Sequence, residues 1–310
     1  MTLILIHIMD NTVPSTEISL NYNAAAGRPL KRIEALNQRK KWLHDGNKWD
    51  DITPSRDLPT NIKYMVVDIE THDWTSKDPL LSTGSCIVEI AWKLFSDEGD
   101  CLESKQYLIQ PYGTYKEIAP KATEVHGITT KHASKHGVDV ELVLDELIRI
   151  VGNIPNDGFV VAHNMAHEHT VLTNSFSPDQ RDVWDAVQKS DTHSVPLLKY
   201  LPHEAKVKYE TELRWVPLVG FNLQRLHECV YQGDVYVYEY AHFAETDVKM
   251  TWEIFRYYKQ HATVEELTWT NPSVEGPQTF LNRQVERNYN VRRLRLPPLS
   301  RSSVLGGALV

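Results

Sequence analysis

The chain predicts an α/β protein built on a mixed sheet with helices on its faces. Short, nearly continuous apolar runs at Tyr64–Ile69, Ile87–Phe95 and Gly158–Ala162 read as buried strands. Between them, Asp139–Val151 places Val140, Val143, Leu144, Leu147, Ile148 and Val151 on one helical face, at steps of three and four. The resulting order is strand, strand, strand, helix, strand, helix, strand, helix, which implies a mixed sheet. At 310 residues there is room for one large domain with extensions, or for two small domains.

Taken in order, residues 1–60 read as an N-terminal extension. Asn11–Asn23 is polar and lacks a helical period. Pro29–Asp45 predicts a helix with proline in its first turn. Leu30, Ile33, Leu36 and Leu43 give it an apolar stripe, and Lys31, Arg32, Arg39, Lys40 and Lys41 make it basic. The stripe suits packing on the domain; the basic residues suit a nucleic-acid backbone. The first strand follows at Ile62–Thr71, then a polar loop from His72 to Ser85. Ile87–Phe95 and Gln106–Gln110 read as the next strands of an antiparallel meander, stopped by Pro111 and Gly113. After the Asp139–Val151 helix, strand Gly158–Ala162 runs directly into a helix at Asn164–Asn174. Lys189–Thr192 reads as a short strand, and Asn222–Val230 and Phe243–Gln260 as helices.

These elements define a domain over 61–262. Residues 263–310 are expected to form a basic, partly disordered tail, aperiodic from about Asn271. The tail carries Arg283, Arg287, Arg292, Arg293, Arg295 and Arg301 against Glu275 and Glu286. Within it, Leu296-Pro297-Pro298-Leu299 suits either a stiff linker or a polyproline II peptide that docks a protein partner.

Composition narrows the class. An apolar share of 41% and a charged share of 24% fit a globular protein in water. The early run Leu3-Ile4-Leu5-Ile6 has no basic flank and is soon followed by Asp10, so neither a signal peptide nor a membrane span is expected. Cys86, Cys101 and Cys229 are odd in number, widely separated and without zinc spacing. They read as free thiols of an intracellular protein, cytoplasmic or nuclear. A net charge of -8 weighs against bulk electrostatic attraction to nucleic acid. It leaves room for an enzyme that gathers acids around metal ions.

The acids themselves are the informative residues. Asp68 and Glu70 break the first apolar strand. Strand residues two apart share a face, so the two carboxylates sit side by side. Bare carboxylates there repel one another and are costly to bury. Mg²⁺ or Mn²⁺ relieves both penalties, since hard cations prefer carboxylate oxygen. A second cluster, His163-Asn164-Met165-Ala166-His167-Glu168, lies where a strand enters a helix. Strand carboxyl ends are where open α/β sheets bind ligands. Glu168, one turn into that helix, can point back at the sheet end. His163 and His167 are four apart, yet the zincin order His-Glu-x-x-His is absent. In the third cluster, His242-Phe243-Ala244-Glu245-Thr246-Asp247, positions five apart differ by about 140° on a helix. His242 and Asp247 can share one site only if His242 precedes the helix or lies at its frayed start. Together these acids and the histidine fit phosphodiester hydrolysis by two metal ions about 3.5–4 Å apart, which clamp the attacking and leaving oxygens. His242 supplies a base of near-neutral type.

The ordered motifs resemble those of the DEDDh 3′–5′ exonuclease family of the DnaQ-like, ribonuclease-H-like superfamily. Asp68-Ile69-Glu70-Thr71 is similar to the family's Asp-x-Glu-Thr. His163-Asn164-x-x-x-Glu168 follows its His-Asn-x-x-x-Asp, and His242-x-x-x-x-Asp247 its His-x-x-x-x-Asp. Ala122–Thr129 and Asp191-Thr192 resemble flanking segments. The likeness runs from about Ile62 to Gln260. It implies a five-stranded mixed sheet flanked by helices, two Mg²⁺ or Mn²⁺ ions, and release of mononucleotides from 3′ ends. The expected partner is single-stranded nucleic acid or a nucleic acid 3′ end, with no membrane involved. By the resemblance, Asp68 bridges both metals, and Glu70 and Asp247 hold the one carrying the attacking water. Glu168 supports the second metal, and His242 is the general base. Backbone around Ile69, Glu70 and Thr71 receives the terminal nucleotide, with Asn164 beside it. Trp74 either stacks on a base or anchors its own loop. One position departs: Glu168 stands where the family has Asp. The alternative is therefore a degenerate exonuclease domain that binds nucleic acid or a protein partner without cutting.

Overall fold

The computed structural model describes residues 57–73, 84–113, 116–202, 223–231 and 242–271. The expected helix Pro29–Asp45, Trp74 and the arginine-rich part of the tail, with Leu296-Pro297-Pro298-Leu299, lie outside these residues.

Strands β1 (Tyr64–Thr71), β2 (Ile87–Phe95), β3 (Cys101–Leu108), β4 (Phe159–Ala162) and β5 (Lys189–Asp191) form one five-stranded sheet in the order β3-β2-β1-β4-β5. The β1–β2 and β2–β3 pairs are antiparallel, whereas the β1–β4 and β4–β5 pairs are parallel. This is the mixed α/β sheet that the element order predicts, with the five strands that the family resemblance implies. Around it lie α1 (Pro120–His126), α2 (Thr130–His136), α3 (Val140–Val151), α4 (Met165–Ser175), α5 (Pro178–Ala186), α6 (Leu223–Val230), α7 (Ala244–Lys259) and α8 (Val264–Leu267), with a 3₁₀ turn at Val195–Tyr200.

Alternation along β1 divides the core. Met65, Val67 and Ile69 face a layer that includes Leu144, Leu147 and Ile150 of α3 and Val171 and Leu172 of α4. Tyr64 and Val66 face the other way, toward Val248, Trp252 and Phe255 of α7 and Leu226 of α6. There Trp252 stacks on Phe95 with ring centroids 3.8 Å apart. Removing such a fully buried aromatic ring costs about 3–5 kcal/mol, so α7 is fixed firmly on the sheet. Asp68 and Glu70 continue the row of Tyr64 and Val66, and therefore face α7.

β1 also outruns its parallel neighbour. Its pairing with β4 spans Tyr64, Met65 and Val66, while its pairing with β2 continues to Thr71. The end of β1 that bears both acids thus overhangs a gap where β4 turns away into α4. That gap is the crevice at the strand carboxyl ends.

The structure corrects several expectations. β3 begins at Cys101, not Gln106, because Cys101–Lys105 is the more exposed half of an edge strand and carries no apolar signal. The short helices α1, α2, α5 and α8 have too few turns for a readable period. The fold also continues past residue 262, where the sequence places the start of the tail. Thr263 and Glu266 cap α8 reciprocally, and Leu267 is buried. The Trp269 N–H donates to the Lys189 carbonyl at 2.7 Å. The Asn271 amide meets His169 Nε2 at 2.8 Å, while Nδ1 of that ring accepts from Trp184 Nε1 at 3.0 Å. Caps and polar contacts, not an apolar stripe, hold this segment. Cys86 and Cys229 are buried and Cys101 is exposed. Among the described residues, no helix is long and apolar enough to cross a membrane.

Candidate active site

Asp68, Glu70, Glu168 and Asp247 are all at least nine-tenths buried, at the overhanging end of β1. Each is delivered by a different constraint. Register puts Asp68 and Glu70 on the α7 face, and the ladder shifts between Glu70 and Thr71 as the strand ends. Asn164 takes a left-handed conformation, φ 75° and ψ 54°, and turns β4 into α4. Asparagine tolerates that conformation better than most residues. Asp191, at the end of β5, secures the turn: its Oδ1 accepts from the backbone N–H of Asn164 at 2.8 Å and of His193 at 2.9 Å. His163 Nδ1 lies 3.0 Å from Thr192 Oγ1. This seating aims Glu168, one turn into α4, back toward the sheet.

His242 precedes α7 rather than belonging to it, with φ 65°. Its backbone N–H donates to Asp247 Oδ2 at 3.0 Å. Its ring Nδ1 lies 3.9 Å from Glu70 Oε1, and the side chain is 35% exposed. Glu70, His242 and Asp247 can offer ligand atoms that all lie within 4.8 Å of one another.

Asp68 and Glu168 stand outside that trio and are linked to each other through charge. Burial, then the neighbouring charge of Glu89, pushes the Asp68 carboxyl up to about 7. Burial, then Asp68, raises Glu168 well above the usual carboxylate range, with Asp191 and Asp247 adding to it. Glu168 Oε2 is buried and has no hydrogen-bond donor among the described residues. A carboxylate left so in the apo fold is costly, and a hard cation is the partner its oxygens suit. The donor set, carboxylates with one imidazole, therefore fits Mg²⁺ or Mn²⁺.

Other expected residues distribute unevenly. Ile69 turns its side chain into the core opposite the acids, so only its backbone faces the crevice side of the strand. Thr71 is half-buried, its hydroxyl donating to the Asp73 carbonyl at 3.1 Å. His167 is drawn below its ordinary value by burial and is absent from the metal-capable trio.

One residue escapes sequence reasoning. Glu89 on β2 pairs in register with Glu70 and is 0% exposed. The signal was present: Glu89 interrupts an apolar strand just as Asp68 does. Without a motif around it, it reads as one polar residue in Ile87–Phe95.

No family model matches the sequence, and no curated protein matches it. Among solved structures, Escherichia coli exonuclease I with a bound zinc ion and single-stranded DNA is 15% identical, with TM-score 0.47, over 65% of this chain and 41% of that one. The same enzyme with a dA16 oligonucleotide is 14% identical, with TM-score 0.46, over 76% and 46% of the two chains. An exonuclease I from Methylocaldum szegediense is 17% identical, with TM-score 0.45, over 64% and 41%. This chain thus spans less than half the length of the exonuclease I chains it matches. The fold assignment stands on the order and direction of the five strands.

Proposed function

We propose that this chain is a divalent-metal-dependent 3′–5′ exonuclease acting on single-stranded nucleic acid or nucleic acid 3′ ends. The observation that supports this reading is convergence. Asp68, Glu70, Glu168, His242 and Asp247 come from three separated segments and gather at one sheet end, with four of the five buried. Structural acids in a core have no reason to gather without a cation.

In this reading, Asp68, Glu70, Glu168 and Asp247 would hold two Mg²⁺ or Mn²⁺ ions, Glu70 and Asp247 serving one, Glu168 the other and Asp68 both. When bound, the ions supply Lewis-acid stabilisation of the attacking and leaving oxygens. His242 sits at the solvent-facing edge of the trio, tethered through its own backbone to Asp247. That leaves the imidazole placed to take a proton from the water that attacks the phosphodiester. Glu168, one methylene longer than the aspartate at that position of the family motif, reaches the same cluster from the first turn of α4. The β1 overhang leaves the backbone of Ile69–Thr71 beside the crevice, where a terminal nucleotide fits. The extensions at 1–60 and 272–310 are assigned to substrate or partner contacts through their basic residues.

The test is release of label from 3′-labelled oligonucleotides, DNA and RNA, single- and double-stranded, with Mn²⁺ or with EDTA. Metal-dependent appearance of mononucleotides is the expected result, and the preferred substrate identifies the nucleic acid. Binding without release under every condition contradicts the proposal and favours a domain that holds nucleic acid without cutting it.

A further inference from the structure

We propose that Glu89 is a positioning residue of the metal site, a buried carboxylate on β2 that acts through Asp68 and Glu70 to raise the cluster's affinity for a divalent cation. This rests on the function proposed above and deepens it.

Glu89 is fully buried. In the antiparallel register it stands directly across from Glu70, and Ala91 stands across from Asp68. Paired residues share a face, so Glu89 lies on the α7 side with both acids. Gln106 of β3 donates from Nε2 to Glu89 Oε1 at 2.9 Å, which holds the carboxylate in place. Among the charges acting on Asp68, that of Glu89 is the one that registers.

The placement is unfavourable on its own terms. Like charges directly opposite in a sheet destabilise the pair, and a buried carboxylate costs more than an apolar side chain. Ala91, the next residue on the same face of β2, is buried in the apolar layer against α7, so this face accepts apolar side chains. Glu168 Oε2, buried and with no hydrogen-bond donor among the described residues, is an independent sign that these oxygens suit a cation. A further negative charge behind the ligands makes that cation bind more tightly. Outer carboxylates of this kind typically change metal affinity by about 10–100-fold when removed.

The competing explanation is structural: Glu89 serves only to anchor β3 through Gln106. Glu89→Gln separates the two, because a glutamine oxygen still accepts from Gln106 while the charge is gone. The experiment is calorimetric titration of Mn²⁺ into the full chain, with thermal melts of the metal-free forms. We expect Glu89→Gln to weaken Mn²⁺ binding about 10–100-fold, with a metal-free melting temperature equal to or above that of the wild type. Unchanged Mn²⁺ affinity in Glu89→Gln, beside a wild type that binds, overturns this proposal and leaves the proposed function standing. A wild type that binds no Mn²⁺ overturns both. Should Glu89→Gln lose its cooperative melt, the paired variant Glu89→Gln, Gln106→Glu keeps both the hydrogen bond and the charge count but moves the charge one strand farther from Asp68. Its affinity is expected below that of the wild type, and wild-type affinity there overturns the proposal.

Discussion

Glu70, His242 and Asp247 form one part of the acid cluster, Asp68 and Glu168 the other, and the two handle buried charge differently. The first part contains its own partial compensation. His242 donates its backbone N–H to Asp247 and brings its ring toward Glu70, and it keeps the trio in touch with solvent. The second part has no comparable relief. Burial raises both carboxyls above the usual carboxylate range, with the charge of Glu89 adding at Asp68 and that of Asp68 adding at Glu168. The deep pair is thus expected to hold protons more readily than the trio when no cation is bound. Loss of either part should damage activity, but for different reasons.

The largest effect is expected at Asp68. Asp68→Ala should reduce nucleotide release to background while leaving the metal-free melting temperature unchanged or higher, since a repelled buried carboxylate is gone. Near-wild-type turnover, measured at saturating Mn²⁺, would remove Asp68 from the site. His242→Ala should come next, losing about 10²–10⁴-fold in rate as expected for a lost general base, with Mn²⁺ affinity less affected than in Asp68→Ala. A rate loss fully recovered by raising Mn²⁺ would recast His242 as a ligand. Glu168→Asp should lose about 10²-fold, the scale on which a displacement of about 1 Å matters, and demand more metal. A gain in activity instead would mean that Glu168 impairs the site.

A smaller and slower-varying effect is expected on stability. Unfolded carboxyls titrate near pH 4, while Asp68 and Glu168 titrate higher in the metal-free fold. Between those values the folded chain binds more protons than the unfolded chain. The stability these groups contribute is therefore fully present below about pH 4 and is lost as pH rises through about 7. Denaturant melts from pH 4 to 8 should show a loss on the order of a few kcal/mol in the metal-free protein and a flatter profile with saturating Mn²⁺. A flat metal-free profile would show that the deep pair is not repelled.

The same division explains what was legible in the sequence. The strand-helix order and both acids of β1 could be read because apolar runs and the alternation of Asp68 and Glu70 are local patterns. The position of His242 before α7 followed from the angular step to Asp247. Glu89 was hidden because its partner Glu70 is set by antiparallel register, which is long-range information. The extent of β3 was hidden because an exposed edge strand draws its order from backbone pairing, not from apolar residues. Asn271 and Trp269 were hidden because contacts with His169 and Lys189 bind an aperiodic segment to distant residues.

The deep pair should carry a proton until a cation displaces it. Calorimetric titration of Mn²⁺ near pH 6, in buffers of different ionisation enthalpy, counts the protons released on binding. The expected result is release of about one proton per chain at that pH, falling toward zero above about pH 8. Tight Mn²⁺ binding with no proton release near pH 6 would contradict it.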